Sequence, residues 1–309
     1  MVATFAAAAG VTAIDTVMCG QERVTSAYLL EADEPAIVET GPTTSLEALS
    51  EGLDALGIGR RDLAHVVVTH IHLDHAGGAG AVAERYPRAT VWVHERGATH
   101  LADPAKLVAS AGRIYGPDRL RSLFGEVHPV PSERLRSIGD GDVIPLGGRE
   151  LRVLYTPGHA GHHVCLVDSR SRAVFVGDAL GVFLPDVRVL RPATPPPEFD
   201  LELAIASIGR VAQVDPSVIL FSHFGPADEV QELCEVAVRR LREWTGVVEE
   251  AMRSTDRVED VVGALEGRAE PELRAERQGA PRERYELLSS FQMNALGIMR
   301  YLRKRAEAP

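Results

Sequence analysis

Four side chains of the kind that bind metal ions lie within six consecutive positions of this 309-residue chain. They are His70, His72, Asp74 and His75, in the run Thr-His-Ile-His-Leu-Asp-His-Ala-Gly-Gly that follows the apolar stretch 66–68. Such a stretch is typical of a buried strand, and alternate residues of an extended segment point in opposite directions. The four groups therefore cannot all face one ion, and the pattern predicts two neighbouring ligand sets that share a cleft.

The spacing indicates how the sets divide. His70 and His72 are two positions apart, which places two imidazoles on one side of an extended segment. Asp74 and His75 follow the turn and are placed to serve a second ion. The Gly77–Gly78 pair lets the backbone pass close to the site and enter the next helix.

Further ligand-type residues follow other predicted strands. A single histidine after an apolar strand is usually structural, but three such junctions together with the loop at 70–75 indicate a metal site. The three are His159 after strand 151–155, Asp178 after strand 173–176 and His223 after strand 218–221.

The ordered set His-x-His-x-Asp-His, Thr-Pro-Gly-His, Gly-Asp and Ser-His resembles the metallo-β-lactamase superfamily of hydrolases over residues 12–226. The segment TPGHAGHHVCLV is especially similar to the glyoxalase-II-like branch of that superfamily. The resemblance implies two ligand sets with a shared carboxylate. One ion would be held by His70, His72 and His159, the other by Asp74, His75 and His223, and Asp178 would bridge them.

The donor set implies a chemistry. Five neutral imidazoles and two carboxylates around two divalent ions leave a surplus of positive charge, which lowers the pKa of a bridging water toward ~7. A hydroxide held between ions ~3.5–4 Å apart is then the nucleophile. Asp74 is placed to take and return a proton. Nitrogen and oxygen ligands suit Zn²⁺ best and are also compatible with Fe or Mn.

The order of predicted elements gives an α/β fold with four layers, α/β/β/α, and a C-terminal helical extension. The resemblance implies that this is the metallo-β-lactamase sandwich. We expect a catalytic domain over 1–226 and the extension over 227–309. The insert 99–134 either folds over the mouth of the cleft or forms a separate surface excursion.

Three features of the chain stand apart from this pattern. The superfamily usually has Asp before Thr-Gly, where this chain has Glu39; we expect Glu39 to disturb a hydrogen bond behind the ligands without being a ligand. A final helix over Tyr285–Leu302 is apolar nearly all round, so the core, a second subunit or the substrate must cover it. The charged run 267–282 is expected to be a flexible link or lid.

Composition restricts the partners. A net charge of −11 argues against nucleic acid, and no apolar run approaches the ~18 residues that span a membrane. The Ala-rich start lacks the basic region of a signal peptide, and the three cysteines are scattered with no CxxC. We expect a cytoplasmic enzyme that acts on a small-molecule substrate, with a homodimer as the assembly.

These observations support a dinuclear metal hydrolase that cleaves an ester-like bond: a thioester, a lactone or a similar small acyl compound. The alternative is a mononuclear iron enzyme similar to the persulfide dioxygenases of the same superfamily. An exported β-lactamase is disfavoured, and metal analysis separates the hydrolase from the dioxygenase.

Overall fold

The computed structural model describes residues 2–184, 188–269 and 286–307. The chain divides into two compact units. The first comprises residues 1–155, 162–177 and 216–228, and the second comprises 156–161, 178–215 and 229–309. The predicted domain boundary at residue 226 stays a prediction.

The first unit contains a seven-stranded sheet in the spatial order β1-β2-β3-β4-β5-β6-β7. Neighbours from β1 to β4 are antiparallel, and neighbours from β4 to β7 are parallel. The strands are β1 Thr4–Ala8, β2 Val11–Asp15, β3 Ser26–Leu30, β4 Ala36–Val38, β5 His65–Val67, β6 Thr90–His94 and β7 Leu135–Ile138. Because β4 and β5 are parallel, Glu39 and Thr69 follow them at the same edge of the sheet.

A second sheet of the same unit has six strands in the order β15-β14-β11-β10-β9-β8. Only β11 and β14 are parallel neighbours, so the chain leaves both at one edge. The strands are β8 Val143–Pro145, β9 Glu150–Tyr155, β10 Val164–Asp168, β11 Ala173–Gly177, β14 Val218–Phe221 and β15 Gly225–Ala227.

Alternation along each strand sorts side chains between two apolar cores. Val67 and Tyr28 belong to a core shared with Leu151 and Phe175 of the second sheet. The neighbouring Val66 belongs to the other core, where it packs with helix residues. Six helices of this unit are α1 Leu46–Ala55, α2 Leu73–Ala76, α3 Ala79–Arg85, α4 Glu95–Ala102, α5 Ala105–Tyr115 and α6 Pro117–Phe124.

The second unit is mainly helical. It contains β12 Val182–Leu184, β13 Val189–Arg191, α7 Leu201–Gln213, α8 Val230–Met252, α9 Val258–Arg268 and α10 Phe291–Glu307. Helix α10 packs on α8 and α9, and Phe291 stacks on Trp244 with ring centroids 5.3 Å apart. Phe291, Ala295, Ile298 and Met299 of this helix are buried.

The predicted final helix over Tyr285–Leu302 is wrong in its bounds. Residues 286–288 are helical, but 289 and 290 are not, and α10 begins at Phe291. Ser290 explains the start, because its Oγ accepts a hydrogen bond from the Met293 amide at 3.1 Å, as an N-cap does. Residue 285 and most of the predicted link 267–282 lie outside the described residues.

The predicted α/β class, with two sheets, helices and a helical C-terminal part, is confirmed. Within the described ranges, no helix combines the length and apolar character that crossing a membrane requires.

A buried ion pair ties the β1–β2 turn and the β3–β4 turn to the second sheet. The Arg149 guanidinium donates to both carboxylate oxygens of Asp168, from Nε at 2.6 Å and from Nη2 at 2.8 Å. Its Nη1 also donates to the carbonyls of Gly10 at 2.6 Å and Glu31 at 3.0 Å. Burial alone would raise the pKa of Asp168, but hydrogen bonds from Arg149 and Ser171 outweigh it and hold the pKa below its ordinary value of 3.8.

We predict that Arg149→Met lowers the free energy of unfolding by about 3–5 kcal/mol, because it leaves a buried carboxylate without its partner. Urea unfolding measures the loss. The control is Arg85→Met, which removes an ion pair with the exposed Glu47 and should cost about 0–1 kcal/mol.

The same pair predicts a pH dependence. Folding lowers the pKa of Asp168. The contribution of the ionised carboxylate to the free energy of unfolding is therefore complete above the ordinary carboxyl pKa, and it is lost as the pH falls through the lower pKa of the folded state. The stability difference between wild type and Arg149→Met should therefore shrink below pH of about 4. A difference that is constant down to acid unfolding would contradict this account.

Candidate metal centre

The loop after β5 places its ligand-type residues on two short pieces of backbone. His70 and His72 precede α2, whereas Asp74 and His75 lie within it. His70 is fully buried, and its Nε2 lies 3.0 Å from Nδ1 of the half-buried His72. The rings of His70 and His75 are 4.1 Å apart between centroids, so the two predicted sets adjoin in the first unit.

Asp74, His75 and His223 form a triangle of ligand atoms. His75 Nε2 lies 3.2 Å from His223 Nε2, and Asp74 Oδ2 lies 3.6 Å and 3.4 Å from these nitrogens. Ligand atoms placed tetrahedrally around zinc at about 2.0–2.1 Å are about 3.3–3.4 Å from one another. The three atoms therefore have the separation that one shared divalent ion requires, and the donor types fit it as well.

Hydrogen bonds on the far side of each ring set the tautomers. His75 Nδ1 lies 3.2 Å from Glu39 Oε1, and His223 Nδ1 lies 3.3 Å from the Val24 carbonyl. Carboxylate and carbonyl oxygens only accept, so both Nδ1 atoms carry the proton. Each Nε2 then presents a lone pair to the triangle, and two lone pairs facing across 3.2 Å repel unless a cation stands between them.

Glu39 organises ligands of both sets. Its buried carboxylate accepts from His75, from Thr69 Oγ1 at 2.5 Å and from Ser222 Oγ at 3.0 Å. Because the Thr69 hydroxyl proton points to Glu39, its oxygen accepts from His70 Nδ1 at 3.0 Å. One carboxylate thus orients His75 directly and His70 through Thr69.

The prediction that Glu39 disturbs a hydrogen bond behind the ligands is therefore wrong, because Glu39 makes these hydrogen bonds itself. The residue has φ of +69°, a left-handed conformation unusual for a non-glycine residue, and its side chain reaches His75 from there. Thr69 and Ser222 were not singled out by sequence reasoning. Their signal is positional, since each is a hydroxyl residue directly before a ligand-type histidine at a strand end.

The other two predicted ligands lie in the second unit. His159 Nε2 is 3.4 Å from Asp178 Oδ2, and both side chains are buried. The Nδ1 of His159 lies 2.9 Å from the Ala193 carbonyl, which leaves Nε2 as the lone-pair nitrogen, as in His75 and His223. The assignment of the seven residues to two ions stays a prediction.

The insert approaches the Asp74 carboxylate. Burial raises the pKa of Tyr115, at the end of α5, to about 12, and the negative charge of Asp74 adds to the shift. Burial and the charge of Asp74 also raise the pKa of Cys19. Helix α6 contacts the segment just before α1, where Thr44 Oγ1 donates to the Leu123 carbonyl at 2.9 Å. The charge of Asp74 therefore reaches the end of α5.

The chain is similar to known proteins in sequence and in fold. The family model of the metallo-beta-lactamase superfamily matches residues 20–223. A metallo-beta-lactamase fold-containing protein of Sulfurisphaera tokodaii, ST1585, is 30% identical over 168 residues, which cover 53% of this chain and 61% of that protein. A solved structure with the same protein name, from Sulfolobus tokodaii, matches with a TM-score of 0.61 at 24% identity, over 83% of this chain and 93% of that one.

Two further relatives carry enzyme names. An acyl-coenzyme A thioesterase of Gallus gallus is 34% identical over 128 residues, which cover 40% of this chain and 44% of that protein. A hydroxyacylglutathione hydrolase of Rhodopseudomonas palustris is 32% identical over 143 residues, which cover 46% of this chain and 44% of that protein. The chain thus spans less than two thirds of the length of each of these three curated relatives.

We predict that Glu39→Gln weakens zinc binding about 10- to 100-fold, because a neutral amide oxygen accepts from His75 and Thr69 more weakly than a carboxylate does. Its NH2 group would also face the Thr69 backbone amide, which is itself a donor. Competition with a chromophoric chelator measures the affinity. The matched control is Glu34→Gln, which makes the same change beside His65, a histidine outside the predicted ligand set. Equal zinc affinity in the two variants would show that Glu39 does not organise the ligands.

Proposed function

This chain belongs to the metallo-β-lactamase superfamily, and on that premise we propose that it is a dinuclear metal hydrolase that cleaves thioesters. Its relatives include hydrolases, and its His and Asp side chains form groups of the kind that can hold a metal ion.

The triangle of Asp74, His75 and His223 is the observation that carries the dinuclear assignment. It supplies three ligand atoms 3.2–3.6 Å apart in addition to the pair His70 and His72. Seven ligand-type residues exceed what one four-coordinate ion uses. We infer that His70, His72 and His159 serve one ion and the triangle the other, with Asp178 between them.

Bound divalent ions would supply a hydroxide from water near neutral pH and polarise the acyl carbonyl. The protein residues then have separate tasks. His75 and His223 are fully enclosed and serve to fix geometry, whereas the Asp74 side chain is 22% exposed. Asp74 is therefore the member of the triangle that can exchange a proton with the reacting groups.

The relatives favour a thioester among the ester-like substrates. One is named an acyl-coenzyme A thioesterase and another a hydrolase of hydroxyacylglutathione. A thiolate is also a good leaving group, since a thiol has an ordinary pKa of about 8.5. We infer a small acyl thioester as substrate, cleaved without a serine or cysteine nucleophile, with zinc as the favoured ion.

The alternative, a mononuclear iron dioxygenase, does not use the whole triangle. A single iron would use only part of the set His70, His72 or His75, His159 and Asp178, whereas the triangle also brings Asp74 and His223 to 3.4 Å from each other. That arrangement supports the hydrolase over the oxidoreductase.

We predict two zinc or manganese ions per chain in the fully loaded protein and release of free thiol from acyl-coenzyme A substrates. Elemental analysis and a thiol-reactive dye measure the two. His75→Ala and His223→Ala should each lose one ion and most activity, because each removes one corner of the triangle. His128→Ala is the control, since its ring pairs with Glu84 on α3 and lies outside the predicted set.

The outcomes separate the hypotheses. One iron per chain with oxygen uptake would establish the dioxygenase alternative. Two ions with hydrolysis of lactones but not of thioesters would retain the dinuclear site and reject the substrate class.

A further inference from the structure

We propose that Asn294, on the C-terminal helix α10, is a positioning residue for the metal ligand His159. The inference rests on the proposed function, because it takes His159 to be a ligand. The two residues are connected by segment 191–194, the strap, because its Ala193 contacts His159 and its Thr194 contacts Asn294. Every contact in the path lies inside the second unit.

The strap controls the orientation of His159. The Ala193 carbonyl accepts the Nδ1 proton of His159 at 2.9 Å, which fixes both the tautomer and the plane of the ring. With Nδ1 held, Nε2 points toward Asp178 Oδ2 at 3.4 Å. A shift of this carbonyl would free the ring to rotate and would allow the proton to move to Nε2, where it blocks an ion.

Asn294 holds the strap one residue beyond that carbonyl. Its Oδ1 accepts from the backbone amide of Thr194 at 2.9 Å and from Thr194 Oγ1 at 2.7 Å. Its Nδ2 donates to Ser289 Oγ at 2.7 Å and to the Ser290 carbonyl at 2.9 Å. All four hydrogen-bonding positions of the amide are used, and the side chain is 1% exposed.

Residues 289–297, the start of α10 and the two residues before it, hold the rest of the strap. Ser289 Oγ donates to the Pro192 carbonyl at 2.5 Å. The Arg191 guanidinium lies 3.9 Å from the Phe291 ring centroid. At Gly297, an added Cβ would lie 1.8 Å from the Thr194 carbonyl oxygen, so only glycine permits the helix to approach this closely. The strap is therefore clamped along its length by residues 289–297.

An amide is the group that this position requires. Aspartate would offer no donor to Ser289 and the Ser290 carbonyl, and alanine would leave the Thr194 amide without an acceptor. Either change loosens the strap next to Ala193 while leaving the ligand itself intact. The expected consequence is a lower affinity for the ion that His159 binds.

The test is a double-mutant cycle on metal affinity. Asn294→Ala and Asn294→Asp are each compared with wild type by chelator competition, and each is also made in the His159→Ala background. In the wild-type background we expect the affinity of one ion to fall about 10- to 100-fold, the range found when the residue behind a ligating histidine is removed. In the His159→Ala background the same change should cost nothing further, because the ligand it positions is absent.

Tyr301→Phe is the matched control. Tyr301 lies on α10, as Asn294 does, and the change removes the hydrogen bond from its hydroxyl to Glu202 on α7. This contact is outside the strap, so metal affinity should stay unchanged. Thr194→Val covers the case in which the Asn294 variants fail to fold. This change keeps the shape of the side chain and removes its hydrogen bond to Asn294 Oδ1. It should lower the affinity for the same ion to a smaller degree.

Three results would overturn the inference. Wild-type affinity in Thr194→Val and in a folded Asn294→Ala would show that the strap does not position His159. An equal loss with and without His159 would show that α10 only stabilises the fold. If His159→Ala itself binds both ions as wild type does, the proposed metal centre fails together with the inference.

Discussion

The candidate site depends on one buried carboxylate, that of Glu39. It receives hydrogen bonds from Thr69 after β5, from Ser222 after β14 and from His75 on α2. A carboxylate that is 2% exposed is costly to bury unless donors surround it, so these groups are held together by the charge they share. Glu39 thereby joins the end of β5 in the first sheet to the end of β14 in the second, and ligand-type histidines follow directly at both ends.

The same physical solution recurs behind the other imidazoles. Three ligand-type histidines each donate a hydrogen bond from Nδ1 to an oxygen that can only accept. The acceptors are the Glu39 carboxylate, the Val24 carbonyl and the Ala193 carbonyl. Every one of these rings therefore offers Nε2 as a lone pair. The arrangement is built before any ion binds, which lowers the ordering cost of binding and fixes where the ion must lie.

Much of the fold and the positions of the ligand-type residues could be predicted from the sequence because both are locally encoded. An apolar run that ends in a histidine or aspartate identifies a strand end and a ligand-type side chain within a few residues, as at His70 and His223. The role of Glu39 could not be predicted, since it depends on a left-handed backbone at 39 and on Ser222, which is 183 positions away in the chain. The start of α10 was missed because the cap at Ser290 interrupts a helical apolar pattern. Asn294 carried no motif, and its contacts with Thr194 exist only in the folded chain.

The central claim is that two divalent ions lie at the Glu39-centred edge, each held by its own ligand set. Anomalous diffraction from crystals of the zinc-loaded protein tests it most directly. The account predicts two anomalous peaks about 3.5–4 Å apart, one within coordination distance of Asp74, His75 and His223 and the other beside His70 and His72. A single peak in a fully loaded crystal, or a second peak remote from the triangle, would contradict it.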